Sequence, residues 1–518
     1  MDRGEVTIES VELTSGGLDP REVVSVARAD APVHLGEAAR AAMQRGADVV
    51  AALADAAEPA YGVSTGFGSL ATVRIPAPRR ADLQRSLIRS HAAGMGPPVE
   101  REVVRAMMLL RARTLAMGYS GARPVLAETI AALLNAGLTP VVPEHGSLGA
   151  SGDLAPLAHC ALALIGEGQV VDASGIARPS GDALADAGIA PVQLTAKEGL
   201  ALINGTDGML GMLVLAIADL WRLVRVADIT AAMSVEALLG TDRAFAQDLV
   251  ALRPHPGQMD SAANLRALLA QSAIVASHRH GDPRVQDAYS LRCAPQVAGA
   301  ARDALAQAGR VAATELRSAI DNPMVLPDGR VESCGNFHGA PVAFACDFLA
   351  IAAAEVGAIG ERRTDRLLDA TRSHGLPPFL ADDPGVDSGM MLAHYAQAAM
   401  VAENRRLAAP AGVDSLPTSA MQEDHVSMGW GAARKLRESV ANLARILSVE
   451  LVCAARALDL RAPLAPGPGT AAALACVRAA IAGPGPDRFI APELAAARRL
   501  VSTGALLEAV EERVGALA

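Results

Sequence analysis

Residues 144–157 read EHGSLGASGDLAPL, and within them Ala150, Ser151 and Gly152 stand consecutively. A phosphate-cradling loop would carry a lysine, and this one has none. The tripeptide permits a different chemistry. The backbone nitrogen of Gly152 could attack the carbonyl carbon of Ala150 and close a five-membered ring. Glycine allows the tight turn and presents an unhindered amide. Loss of one water from that ring and a second from Ser151 would leave a conjugated methylidene carbon, an electrophile made only from the chain. The same residues also suit an ordinary turn before a helix capped by Asp153, and three small residues alone do not decide between the two.

Other side chains could serve such an electrophile. Tyr61, one of only four tyrosines, could act as a phenolate base toward a weakly acidic carbon-bound proton if its surroundings lower its pKa. It could equally be a packing tyrosine with a satisfied hydroxyl. His91 can donate or accept a hydrogen bond. Glu423, in MQEDH, could bind an N–H and move a proton, or face a helix dipole. Arg292, in SLRC, could fork onto a carboxylate or join a surface ion pair. Gly62-Val63-Ser64-Thr65-Gly66 matches the G-x-S-x-G pattern of serine hydrolases, but a nucleophile elbow follows a buried strand, and AALADAAEPA precedes this one. His278-Arg279-His280 lacks a third ligand nearby and reads as a polar loop, so no metal site is expected.

These residues need a scaffold. The 518-residue chain is 51% apolar but only 3% aromatic, so its core must be built from Ala, Leu, Val and Met, which favour close-packed helices over sheets. Leu436, Val440, Leu443 and Leu447 recur at spacings of three and four within 431–461, one face of a long helix. Segments 99–117, 207–240, 297–320, 340–359 and 390–409 also read as helices, several of them apolar all round. Asp19-Pro20 reads as an N-cap followed by proline at the first helical position. Residues 4–13 alternate and suggest a short strand. The fold expected is mainly α, a central bundle of long helices with a small N-terminal region of loops and a short strand. Its divisions would be 1–210, 211–462 and a C-terminal group of short helices at 463–518.

Charge and composition narrow the partners. A net charge of −10 with mixed signs argues against nucleic acid as a partner. The longest apolar run, 340–354, is interrupted by Asp347 and is shorter than a membrane-spanning helix needs, so no membrane association is expected. The start, MDRGEVTIES, has no apolar h-region and suggests no signal peptide. Six cysteines without a CxxC pair read as free thiols in a reducing cytoplasm.

The wider sequence carries a resemblance. EHGSLGASGDLAPLAH, YGVSTGFGSLA (61–71), LQRSLIRSHAAGMG (83–96), KEGLALINGTDG (197–208), RVQDAYSLRCAPQV (284–297), DNPMVLPDGRVESCGNFHG (321–339) and DSLPTSAMQEDHVSMGW (414–430) occur in order over residues 61–430. Together they resemble the signature blocks of the aromatic amino acid ammonia-lyases, and most closely those of actinomycete, histidine-specific members. That resemblance implies a fumarase/aspartase-like helical fold and a methylidene-imidazolone group formed from Ala150, Ser151 and Gly152, with no external cofactor. It puts Tyr61 at the position of the β-proton base, with Phe67 and its neighbouring glycines as a mobile lid. It puts Ser90-His91 where family members contact the substrate side chain; phenylalanine-specific members resemble Phe-Leu there and tyrosine-specific members His-Leu. Arg292 would clamp the substrate carboxylate. Asn204, Gln286 and Tyr289 would hydrogen-bond the prosthetic group or the substrate's carboxylate and amine, and Phe337 would pack at the prosthetic ring. A cytoplasmic homotetramer with sites completed by neighbouring subunits is implied as well.

The activity implied is elimination of ammonia from L-histidine to give trans-urocanate. The β-proton of histidine is far too weakly acidic for a simple base, so electrons must be withdrawn first. The alternative is a lyase or 2,3-aminomutase acting on tyrosine or phenylalanine, which would bury His91 and Glu423 unpaired against an apolar ring. A non-catalytic helical binding protein would have no use for an intact Ala-Ser-Gly with Tyr61 and Arg292. Five positions depart from the pattern of many bacterial members: Met421 for Asn, Gly339-Ala340 for Ala-Glu, Ala288 for Pro and His394 for Gln. Met421 and His394 would alter affinity if they lie near the site.

Overall fold

The structure is a computed structural model that describes residues 8–54, 63–66 and 72–518. Tyr61, Gly62 and Phe67 therefore lie outside the described residues, and with them the lid and the proposed base.

The expected helices form, with ends shifted by a few residues: Arg101–Ala116, Asp207–Ala237, Ala294–Glu315, Ala340–Leu368, Met391–Leu407 and Gly429–Asp459. Pro20–Arg28 begins as its sequence suggests. Asp19 Oδ1 accepts from the Arg21 amide at 2.8 Å, and Glu22 reaches back to accept from the Asp19 amide at 2.7 Å, a reciprocal capping box with proline at the first position. The strand expected over 4–13 is limited, among the described residues, to Val11–Leu13, which pairs in parallel with Val33–Leu35. The other strands are short pieces of small two- and three-stranded sheets.

Three helices of about thirty residues make the centre. Asp207–Ala237 packs against both Gly429–Asp459 and Ala340–Leu368, and Ala294–Glu315 and Arg101–Ala116 flank it. Small residues let the axes approach. A Cβ at Gly211 would stand 3.0 Å from that of Ala106, and one at Gly357 would stand 3.1 Å from Ile446 Cδ1. A polar knot ties the three central helices midway. Arg363 forks onto Glu450, whose carboxylate also accepts from Thr230 at 2.9 Å and Ser234 at 3.0 Å. Removing one partner of this buried set would strand a charge, at a cost of roughly 3–5 kcal/mol. The short helices Pro468–Ala480, Ala491–Thr503 and Ala505–Val514 pack on the outside, and Glu236 anchors their approach by accepting from the Gly467 amide at 2.7 Å.

The apolar run at 340–354 proves to be part of a 29-residue helix. It and the segment Glu198–Ala237 are long and apolar enough to cross a membrane by length and composition. Their apolar windows are 61% and 100% buried inside the bundle, so the core of this fold already accounts for their apolar character.

Candidate active site

The Ala-Ser-Gly loop is held in a tight turn that two glycines make possible. Gly149 has φ +63° and Gly152 has φ +75°, values that favour glycine. Gly152 lies against a backbone as well: a Cβ there would overlap the Gly205 carbonyl. That carbonyl accepts from the Asp153 amide at 2.7 Å. The Ser151 hydroxyl donates to Asn204 Oδ1 at 2.7 Å. Asn204 is 1% exposed, and its NH2 donates to the Asn322 carbonyl at 2.8 Å and to Asp321 Oδ1 at 3.2 Å.

Asp153 does not cap the helix it precedes. Leu154–Leu164 has no side-chain cap bond from it. Its carboxyl accepts instead from the Met209 amide at 2.9 Å and from the Ser147 hydroxyl at 3.0 Å. The first turn of Asp207–Ala237 is thus capped by a residue more than fifty positions upstream. Burial pushes the Asp153 carboxyl up to about 7, against those two bonds, which favour its charged form.

Four helix N-termini meet here. Leu154–Leu164 begins directly after Asp153, and Asp207–Ala237 arrives through Met209. Gly429–Asp459 is joined to the loop by the Met428 amide on the Leu148 carbonyl at 2.8 Å and by the Ser427 hydroxyl on the Gly149 carbonyl at 3.0 Å. Ala340–Leu368 arrives through Gly339, where a Cβ would collide with Met209 Sδ and stand 3.0 Å from Ser427 Oγ. Each N-terminus carries roughly half a positive charge. Negative charge developing at residues 149–153 would therefore be stabilised by fixed dipoles in a desolvated place.

His91 ends the helix Arg80–His91. Its Nδ1 lies 2.9 Å from the Leu87 carbonyl. An Nδ1–H donor there leaves Nε2 with its lone pair for a ligand. Burial lowers the pKa of His91, and the Leu87 carbonyl and the Glu423 carboxylate act in the other direction; Glu423 stands four residues before Ser427, which bonds the Gly149 carbonyl. Glu423 is not at a helix start. It sits in an isolated bridge with Thr418, and Thr418 Oγ1 donates to its carboxylate at 3.0 Å. Phe337 immediately precedes His338, whose ring stacks on His425 with centroids 5.7 Å apart. The 337–339 and 423–429 segments thus run side by side at the convergent helix ends.

Gln286, Tyr289 and Arg292 are elsewhere. Asp287 accepts from the Thr241 amide at 2.7 Å, and Arg284 bonds the carbonyls of Leu238 and Leu239. That places their segment at the C-terminal end of Asp207–Ala237. The helix has 31 residues, which at about 1.5 Å per residue separates this segment from Ser151 by roughly 45 Å. Arg292 Nε donates to the Asp287 carbonyl at 2.9 Å and the guanidinium lies over the Tyr289 ring, 4.6 Å from its centroid. Gln286 and Tyr289 are exposed. His394 is also away from Ser151. It bonds Glu361 at 2.6 Å, toward the far end of the Ala340–Leu368 helix from Gly339. Burial alone would raise the Glu361 pKa, but His394 and Arg362 bring it down to about 2. Met421 is 67% exposed.

Sequence reasoning missed the layer behind Asn204. Arg111 donates to the carbonyls of Ala201 at 3.1 Å, Asn204 at 3.0 Å and Ile320 at 3.0 Å. Lys197 Nζ bonds Asp321 Oδ2 at 2.8 Å and the Ser120 carbonyl at 2.9 Å, with both charged side chains fully buried. The available signal was a cation in or beside an apolar run, MMLLRARTLA and KEGLALI, since a buried charge must be paired.

The family model described as aromatic amino acid lyase matches residues 18–479. The chain belongs to the aromatic amino acid lyase family. This carbon–nitrogen lyase is 61% identical to histidine ammonia-lyase of Streptomyces avermitilis over 99% of its own length and 100% of the relative's. Its fold matches tyrosine aminomutase of Streptomyces globisporus with a TM-score of 0.92 at 37% identity, covering 98% of this chain and 99% of that one. It matches histidine ammonia-lyase of Trypanosoma cruzi with a TM-score of 0.89 at 38% identity, covering 97% and 95%. The all-α lyase fold expected from the sequence is the fold observed.

Proposed function

We infer that this lyase eliminates ammonia from L-histidine to give trans-urocanate, the first step of histidine degradation. The observation that carries the substrate assignment is His91, held through Nδ1 to the Leu87 carbonyl, with Glu423 in the segment that Ser427 ties to the Ala-Ser-Gly loop. A phenylalanine ring would offer neither group a donor, and a tyrosine hydroxyl could donate to only one of them. One N–H of an imidazole satisfies one of these two acceptors, and in the protonated ring the second N–H satisfies the other.

The residues present fit a methylidene-imidazolone group. Gly152 has φ +75° and lies where only a residue without a side chain fits against the Gly205 carbonyl, its amide is the unhindered one a ring closure needs, and Ser151 is anchored through its hydroxyl. Ala150, Ser151 and Gly152 would form the group and Asn204 would bond it. The four helix N-termini would favour negative charge on it. Once formed, the group supplies an electron-poor methylidene carbon that withdraws electrons from the substrate. The chain's own residues do the rest. His91 and Glu423 hold the imidazole, Phe337 packs beside the ring, and Tyr61 takes the β-proton.

Arg292 and Tyr289 complete the reading only if they come from another copy, because within one chain they stand at the wrong end of the bundle. A homotetramer with shared sites accounts for this: Arg292 clamps the substrate carboxylate, and Gln286 and Tyr289 bond the carboxylate or amine. A cytoplasmic setting agrees with six cysteines that are all free.

The test compares L-histidine, L-tyrosine and L-phenylalanine side by side, following the ultraviolet absorbance of the unsaturated acid, together with the intact mass of the protein. Histidine alone should give strong turnover, and the chain should be lighter than its sequence by two waters. Preferred turnover of tyrosine, or a mass equal to the sequence mass, would overturn the reading.

A further inference from the structure

Asn204 presents its carbonyl oxygen, and not its NH2, to the Ser151 hydroxyl, and a buried array enforces that orientation. Its NH2 is drawn the other way by two acceptors, Asp321 Oδ1 at 3.2 Å and the Asn322 carbonyl at 2.8 Å. Asp321 is fixed in turn: Oδ1 accepts from the Asn322 amide at 2.7 Å and Oδ2 from Lys197 Nζ at 2.8 Å. Lys197 and Asn204 bracket one short helix, Glu198–Ile203. Lys197 stands before its first residue in a left-handed conformation, φ +66°, and reaches across to the Ser120 carbonyl. A hydrogen-bonded line therefore runs from Ser151 through Asn204 and Asp321 to Lys197, with its last three members at most 1% exposed.

We propose that Asp321 and Lys197 are positioning residues for maturation of the Ala-Ser-Gly loop. They hold the Asn204 amide so that Ser151 Oγ is anchored and its Cβ–Oγ bond points in one direction. This rests on the ring-forming reading given above. In that chemistry Gly152 N bonds to the Ala150 carbonyl carbon. The Ala150 oxygen leaves as water with the protons of Gly152 N and Ser151 N, and a C=N bond remains. Ser151 then loses its Cα–H and its Cβ–OH as a second water to give Cα=Cβ. No oxidant or reductant is consumed. The second step breaks the bond that the Asn204 contact orients. An Asn204 side chain free to flip would offer Ser151 a donor in half of its states, and the hydroxyl would lose its fixed rotamer.

Two double variants separate orientation from mere stability. Lys197→Met with Asp321→Asn removes both charges, yet leaves an amide oxygen at 321 to accept from Asn204. Lys197→Met with Asp321→Leu removes the same charges and keeps the branched shape but leaves no acceptor at 321, so only the Asn322 carbonyl still bonds the Asn204 NH2. Neutral replacement of a whole buried pair is commonly tolerated, and thermal melts confirm folding of each. The readout is intact mass over time after synthesis. The Asn-containing double should lose two waters as the wild type does. The Leu-containing double should fold but lose water about tenfold more slowly, as expected for one lost hydrogen bond. Equal water loss in the two folded doubles, whether complete or absent, overturns the proposal. A wild-type chain that loses no water overturns the ring-forming reading itself, so the two failures are distinguishable.

Discussion

Ser151 and Arg292 stand at opposite ends of one 31-residue helix. Ser151 is joined to its start through Asn204 and the Asp153–Met209 bond. Arg292 is joined to its end through Asp287 and Thr241. Both carry roles in the proposed chemistry, and no side chain spans roughly 45 Å. An antiparallel arrangement of two copies of this helix would bring the start of one beside the end of the other.

That relationship predicts subunit complementation. Ser151→Ala and Arg292→Ala should each be nearly inactive as homo-oligomers. Co-expressed in equal amounts, they should recover about a quarter of wild-type activity, since random assembly pairs an intact Ser151 with an intact Arg292 in about one site of four. Urocanate formation by the purified mixed oligomer measures this. A site drawn from one chain would recover nothing, because every chain carries one defect.

Specificity is predicted to reside in His91. His91→Leu should lower kcat/KM for histidine by roughly 10²- to 10⁴-fold, the cost of leaving a polar substrate group unpaired in a site built to bond it. Steady-state kinetics with histidine and tyrosine measures the loss and any gain toward the phenol. Unchanged histidine kinetics would remove His91 from the site.

The folded Asp153 carboxyl, raised from 3.8 to about 7 by burial, makes a pH prediction. Its folded pKa exceeds its unfolded one, so between the two values the native state binds more protons than the unfolded state, and stability falls as pH rises. The contribution is fully present below about pH 4 and is lost by about pH 7, at most about 4 kcal/mol. Asp153→Asn cannot titrate and should flatten that part of the profile. Urea melts of both proteins between pH 4 and pH 8 measure the difference in slope. Parallel profiles would mean that the four helix ends keep Asp153 ionised throughout.

Much of this was legible in the chain. The spacing of Leu436, Val440, Leu443 and Leu447 marks a helix because periodicity is local, and Asp19-Pro20 marks a start because a cap bonds residues two and three away. The ordered blocks pointed to the family. What was hidden depends on contacts distant in sequence. Asp153 looks like a cap for the helix beside it, and only the packing shows that it serves Met209. The blocks holding Ser151 and Arg292 suggest one site, and only the length of a helix separates them. Lys197 and Asp321 are 124 positions apart, so neither announces its partner.

The last prediction concerns Tyr61 and Glu423, which compete for the proton-transfer role. Phenylalanine at position 61 preserves size and removes only the hydroxyl. If Tyr61 is the β-proton base, Tyr61→Phe should lower kcat by roughly 10²- to 10⁴-fold with little change in KM, the mark of an interaction made only in the transition state. Glu423→Gln keeps the size and most of the hydrogen bonding, including acceptance from Thr418, but removes the charge. If Glu423 mainly holds the imidazole, its loss should appear in KM. If it takes the proton itself, kcat should fall as far as in Tyr61→Phe, and the double variant should be little worse than either single one, because the two act as a unit. Exchange of the substrate β-proton with deuterated solvent separates proton removal from ammonia release. A Tyr61→Phe enzyme that retains both kcat and β-exchange would transfer the base role to Glu423 or to Tyr289 of another subunit. The complementation experiment then distinguishes those two: a base contributed by Tyr289 would be rescued by mixing with Ser151→Ala, whereas Glu423, near His91 at the convergent helix ends, would not.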